Sequence, residues 1–417
     1  MNSLKSHLDM QGSPPKLGGS SVLDWLLVLA STVALTASVT HIYSMGVFIA
    51  PLETEFGWPR AEISAGLGVI SVISVVLAPF VGLAIDRYGS RRIGIPGLII
   101  YLAGVALLST SGPSIWNWWA LSAVIALGTV LVKPTVWLKA VTSRFRRHQG
   151  LAVAIALCGT SIGAAIFPFL AERLLVYGWR TAYLSLSGGA ALVALPMVYM
   201  CFRSEDRPQD QAEPSKASAK PGVSAREGLT SPVFFKMGAA AFLMTLSVLS
   251  LAVHFVPILT ENGISSATAA SIAGIVGVGS VVGRLATGLL MDRYTGRFVG
   301  GAVLLFPIIG CVLLLTLQLD PLTALLVGGI IGLSLGAEVD VFAVLSARYF
   351  GVANYGLLFG TIAGLISFGA GVGPTLAGLV FDTYGGYDYL FVAIMPMLVA
   401  SSLLVLSLGK EPAFKAP

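Results

Sequence analysis

Charge is what this sequence has least of. Asp, Glu, Lys and Arg make up 11% of its 417 residues, where an ordinary soluble domain carries about 25%. That shortage excludes a disordered chain and an ordinary cytosolic enzyme. Cysteine is scarcer still: Cys158, Cys201 and Cys311 lie in or beside apolar runs. An odd count there offers neither a disulfide framework nor metal-ligand spacing, so the three read as packing residues. Nucleotide-binding loops are missing too, because no strand precedes Gly277-Val-Gly279 and a third glycine is misplaced. With no nucleophile–base pair and no metal constellation, the expectation is no enzyme and no cofactor.

What is present is apolar. Hydrophobic residues reach 56% and the mean hydropathy is +0.87. Runs of about 20 residues, each long enough to cross a bilayer core of about 30 Å as a helix, recur along the chain. They predict twelve segments at 23–49, 64–85, 93–112, 116–138, 149–171, 182–202, 233–259, 268–290, 298–317, 321–345, 356–380 and 389–408. Residues 1–21 are polar and lack the apolar core of a cleaved signal peptide, so the first span is expected to insert uncleaved. Residues 203–232 are polar, Pro-bearing and mixed in charge, and read as a cytoplasmic linker. The domains expected are a tail 1–21, bundles 22–202 and 233–408, the linker 203–232 between them, and a tail 409–417.

The net charge of +5 does not point to nucleic acid, because the basic residues fall in short loops. With both termini placed in the cytoplasm, twenty of the 25 Lys and Arg are cytoplasmic. Only Arg60, Arg173 and Arg180 lie outside, and Lys133 and Arg284 lie within spans. Excess loop Lys and Arg marks the cytoplasmic face, which predicts a multi-pass protein of the cell inner (plasma) membrane.

The two halves repeat. A shift of 206 residues carries Pro51 to Pro257, Glu55 to Glu261, and Gly82-Leu-Ala-Ile-Asp86-Arg87-Tyr88 to Gly288-Leu-Leu-Met-Asp292-Arg293-Tyr294. It also carries Gly163 to Gly369 and Pro168 to Pro374. The expectation is an all-α polytopic membrane protein, with twelve transmembrane helices in two pseudo-symmetric six-helix bundles and a parallel-repeat transporter plan. Function then belongs in the cleft between them. Without an energy-coupling nucleotide site, transport would be secondary.

The loop from Gly82 to Arg92, with its partner Gly288 to Arg297, resembles the signature loop of the major facilitator superfamily. Residues Pro51 to Trp58, Arg144-Phe-Arg-Arg147, Gly178-Trp-Arg180, Gly336-Ala-Glu338-Val-Asp340 and Arg348-Tyr-Phe-Gly351 are similar to bacterial members of its monocarboxylate porter and oxalate–formate antiporter group. That resemblance implies the major facilitator fold and movement of small carboxylates, by symport with a proton or by exchange for another anion. Asp86, Arg87, Arg91, Arg92, Asp292 and Arg293 would form a gate across the cytoplasmic seam.

Arg284 matches the eighth-span arginine that holds the substrate carboxylate in those porters. The alternative for it is a structural ion pair with an acid on a neighbouring helix. The porters' coupling Asp, one turn earlier, is here Ser280, and a first-span lysine position is Tyr43. Lys133 is expected to pair with Glu338 or Asp340 when the cytoplasmic side is shut, since the repeat carries it to position 339. Tyr43, His41 and His254 are expected to shape the outer cavity, with Ser280 beside Arg284 among the substrate-binding residues, and either histidine could carry a proton. Trp116, Trp118 and Trp119 read as an interfacial belt. The partners expected are a small organic anion, a proton or counter-anion, and the lipid bilayer, with the chain acting as a monomer. Two alternatives stand beside this: a permease or exporter of larger amphipathic compounds, peptides or sugars, and a non-transporting solute sensor. The short tail after Leu408 argues against the sensor.

Overall fold

The computed structural model describes residues 22–145, 148–202, 222–351 and 353–412, apart from the side chain of Asp86. Twelve helical spans are long and apolar enough to cross a membrane. Span one consists of Val22–Ala37 and Thr40–Phe56, span two is Arg60–Tyr88, and span three is Ser90–Leu107. Span four is Ile115–Leu131 followed by Pro134–Arg144, span five Gln149–Leu174 and span six Trp179–Cys201. In the second bundle, span seven is Pro232–Val253 with Phe255–Glu261, and span eight is Ser266–Arg293. Span nine is Gly296–Val303 with Phe306–Thr316, span ten Pro321–Phe350, span eleven Tyr355–Tyr384 and span twelve Asp388–Leu406. An even number of crossings returns the chain to the face where it began. We call that face proximal and the opposite one distal.

Three departures from the sequence expectation matter for the site. Span one does not stop before Pro51 but runs on to Phe56, where Gly57 ends it at φ 68°, a left-handed turn that glycine adopts without strain. The distal loop shrinks accordingly, and Arg60 becomes the first residue of span two. Span four is broken at Val132–Lys133. Pro134 has no N–H to give and its ring clashes with the preceding turn, so the helix stops and restarts with proline in its first position. Finally, the end of the expected linker is docked. Val223 N–H donates to Phe350 O at 3.0 Å, and Asn354 Nδ2 donates to Val223 O at 2.8 Å. Residues 203–221 lie outside the described residues.

The bundles meet chiefly along two seams, span two against span eleven and span five against span eight, with span one also against span seven at Gly46 and Val253. Glycines report how tightly. A Cβ on Gly378 would meet the backbone of Arg60 and Ala61, and one on Gly371 would meet Ser71 and Leu67 O. Toward the proximal face, a Cβ on Gly364 would lie 4.0 Å from Val75, and one on Gly360 or Gly356 would meet nothing within 4 Å. On the other seam, Gly274 and Gly277 press on Ala165 and Ser161, while Gly288 is open. The seams are shut distally and splay apart proximally.

Candidate functional site

The distal closure is built around Arg60, whose side chain is 8% exposed. Its Nε donates to Glu53 Oε1 at 2.8 Å within its own bundle. Across the seam, Nη2 donates to Glu261 Oε1 at 2.7 Å and Nη1 to Tyr387 OH at 3.0 Å. The guanidinium also lies 3.5 Å from the centre of the Phe381 ring, a cation–π contact in a desolvated place. Asp382 of span eleven caps span two: Oδ1 accepts Arg60 N–H at 3.0 Å and Oδ2 accepts Ala61 N–H at 2.8 Å. A carboxylate at a helix N-terminus satisfies orphan donors and the helix dipole together.

His254 extends this closure. It is wholly buried, with Nε2 at 2.9 Å from Pro374 O and 3.1 Å from Ser64 Oγ, and Nδ1 at 2.9 Å from Tyr387 OH. A carbonyl only accepts, so Nε2 carries the proton and Nδ1 accepts from the tyrosine. Burial holds the Tyr387 phenol above its usual pKa, which keeps that donor protonated. Ser280 is likewise a seam residue here: its Oγ is 2.8 Å from Ser161 Oγ of span five, and both are buried.

Deeper in the membrane, Arg284 of span eight pairs with Asp340 of span ten. A single nitrogen, Nη1, reaches Oδ1 at 2.9 Å and Oδ2 at 3.0 Å. The Nε is buried without a partner, and among the described residues no hydrogen bond engages Nη2. The Nε–Nη2 edge is the fork that fits a carboxylate in two parallel hydrogen bonds. Glu338, 4% exposed, has its Oε2 unpartnered. Tyr43 of span one lies within electrostatic range of both Glu338 and Arg284, and Cys158 of span five within that of Arg284 and Asp340. Both bundles therefore face this charge cluster.

Lys133 does not pair with Glu338 or Asp340 in this state. Arg284 already occupies Asp340 within the second bundle, and the break in span four turns Lys133 toward span eleven. Its Nζ donates to Ser367 Oγ at 3.1 Å, still a contact between bundles. Lys133 and His41 line one cavity of about 180 Å³.

The sequence profile of the Major Facilitator Superfamily matches residues 27–339 and, in a second register, 237–417. The chain belongs to this superfamily. Its relatives are diverged. An Aspergillus flavus protein described as "MFS transporter asaE" is 24% identical, over 96% of this chain and 89% of its own. "Monocarboxylate transporter 13" of Bos taurus is 26% identical, over 94% and 91%. A bacterial homologue of the human lysosomal transporter Spinster, solved inward-facing and unoccupied, superposes with a TM-score of 0.69 at 14% identity, covering 94% of this chain and 95% of its own. That likeness shows the fold.

The chain is thus a major facilitator transporter and not an enzyme. The residues of its signature loop lie on the splayed proximal face. Arg87 is exposed and sits 5.4 Å from the Tyr88 ring centre. Arg91 Nη2 donates to Tyr199 O at 2.9 Å within its own bundle. Arg92, Asp292 and Arg293 are exposed, and the Asp86 side chain lies outside the described residues, as do Arg146 and Arg147 of the neighbouring motif. Of the three tryptophans expected at the membrane surface, Trp118 is fully buried, with Nε1 donating to Ile63 O at 3.0 Å; Trp116 is 72% exposed.

Nothing in the sequence singles out Arg60, Asp382 or Tyr387 as residues of the distal closure. Only Glu261 carried a signal, through its repeat match to Glu55. Cys158 was read as packing, and its neighbourhood of charge had no mark in the sequence.

Proposed function

We propose that this transporter moves a small carboxylated organic solute by alternating access, with a proton or in exchange for another anion. The observation that carries the reading is the free Nε–Nη2 edge of Arg284, a cation buried between the bundles and held by Asp340 through one nitrogen only. A substrate carboxylate can take that edge, and protonation of Asp340 would release more of the guanidinium to it. The name of the Bos taurus relative agrees with such a substrate. Tyr43 would face the bound solute from the first bundle.

In the other half of the cycle the Arg60 network would open and the proximal loops would close. Asp86, Arg87, Arg91 and Arg92 would then meet the second bundle beside Asp292 and Arg293. The excess of Lys and Arg on the proximal face supports placing it in the cytoplasm of a plasma or inner membrane.

A second reading, export of larger amphipathic compounds, draws on a Paecilomyces divaricatus relative named "Agnestins efflux protein AgnL12", 23% identical. Uptake and export of a labelled carboxylate panel in proteoliposomes, with and without a pH gradient, separates the two. Movement of a carboxylate supports the first reading; no carboxylate flux, with flux of a bulky amphipath, overturns it.

A further inference from the structure

The cavity beside Lys133 has a chemistry of its own. It lies between spans one, two, three, four and eleven, and its volume of about 180 Å³ equals about six waters at roughly 30 Å³ each. Leu67, Ile70 and Ile125 give it an apolar wall, Lys133, His41 and Ser74 a polar one, and no carboxylate lines it.

Two features of the polar wall favour an anion. Lys133 spends one of its three N–H donors on Ser367, leaving two. His41 is 2% exposed and neither ring nitrogen has a partner; Ser74 Oγ is buried and unpartnered too. Buried polar groups in folded proteins are normally satisfied, and a small anion would satisfy these.

We propose that this cavity is a second carboxylate site, separate from Arg284, for a short aliphatic carboxylate. Lys133 pairs with the carboxylate, His41 and Ser74 hydrogen-bond to it, and the alkyl part rests on Leu67, Ile70 and Ile125. Span one stands between the two sites: His41 and Ile42 line this cavity, whereas Tyr43 lies within electrostatic range of Arg284 and Glu338. Ser367 and Ala370 of the second bundle complete the wall. The site is therefore whole only while the distal seam is shut, and an occupant favours that state.

The class of ligand rests on the carboxylate reading above; the place does not. The test is equilibrium binding of radiolabelled propionate to the full-length protein in nanodiscs. The expected result is two propionates per chain for the wild type, one for Arg284→Gln, one for Lys133→Gln and none for the double variant. His41→Asn and Ser74→Ala should each weaken the Lys133 site by tenfold or more, and they keep the test open if Lys133→Gln fails to fold. Two propionates remaining in Lys133→Gln, or one in the wild type that Arg284→Gln removes, would overturn this inference alone. No binding to the wild type would overturn both it and the carboxylate reading. One propionate retained by Arg284→Gln, without carboxylate transport by the wild type, would sink only the transport reading.

Discussion

The backbone N–H of Arg60 lies 3.0 Å from Asp382 Oδ1, and these two residues belong to opposite bundles. The first turn of span two is thus capped by span eleven, so the helix end is satisfied only while the distal seam is shut. Replacing Asp382 by Ala removes a cap worth about 1 kcal/mol, a shift of about fivefold away from the closed state. Spin labels on the exposed distal residues Thr54 and Thr383 should show a longer-distance population growing in the variant by double electron–electron resonance.

Arg60 itself should matter more. Arg60→Gln leaves Glu53 and Glu261 together without a cation, and breaking a buried pair on one side costs about 3–5 kcal/mol. Glu261 is 43% exposed, so the effect belongs near or below the lower bound. The same spin-label pair should report a mostly open distal seam. Arg60→Lys should restore closure only in part, since lysine keeps the charge but not the fork.

Glycines on the seam give a paired test. Gly371→Ala sets a methyl against Ser71 and Leu67 O across the seam, whereas Gly360→Ala meets nothing within 4 Å. The first should hold the bundles apart distally without unfolding either. The second should leave the distance distribution unchanged, and equal behaviour of the two would contradict the closed seam described above.

In the proposed cycle Asp340 would compete with substrate for Arg284, which it holds at 2.9 Å here. Asp340→Asn should keep counterflow exchange of a carboxylate, yet abolish its accumulation under an inward proton gradient if Asp340 carries the coupled proton. Counterflow and gradient-driven uptake, measured side by side, check this.

The architecture was legible because each span is an apolar run that periodic reading detects, and the repeat tied the halves together. Arg284 was legible for a related reason: a charge inside a span is costly and rare. The distal closure was not. Arg60 sits between Pro59 and Ala61-Glu62, a stretch that reads as a loop, and its partner Asp382 is 322 residues away. Lys133 was noticed, but repeat symmetry suggested span ten for its partner. That pairing belongs to the state with the cytoplasmic side shut; with the proximal side splayed, Lys133 rests on Ser367 and Arg284 holds Asp340. Pairing between spans depends on which side chains face each other, and no periodicity records that.

Counterflow of a labelled small carboxylate into proteoliposomes, comparing wild type with Arg284→Lys, tests the central claim most directly. Loss of a two-pronged charged contact costs about 1.5–3 kcal/mol, so the variant should need roughly 10- to 100-fold more substrate for half-maximal exchange. Wild-type exchange with that shift is the result predicted here. Exchange that is indifferent to Arg284→Lys, or no carboxylate exchange at all by the wild type, would contradict it.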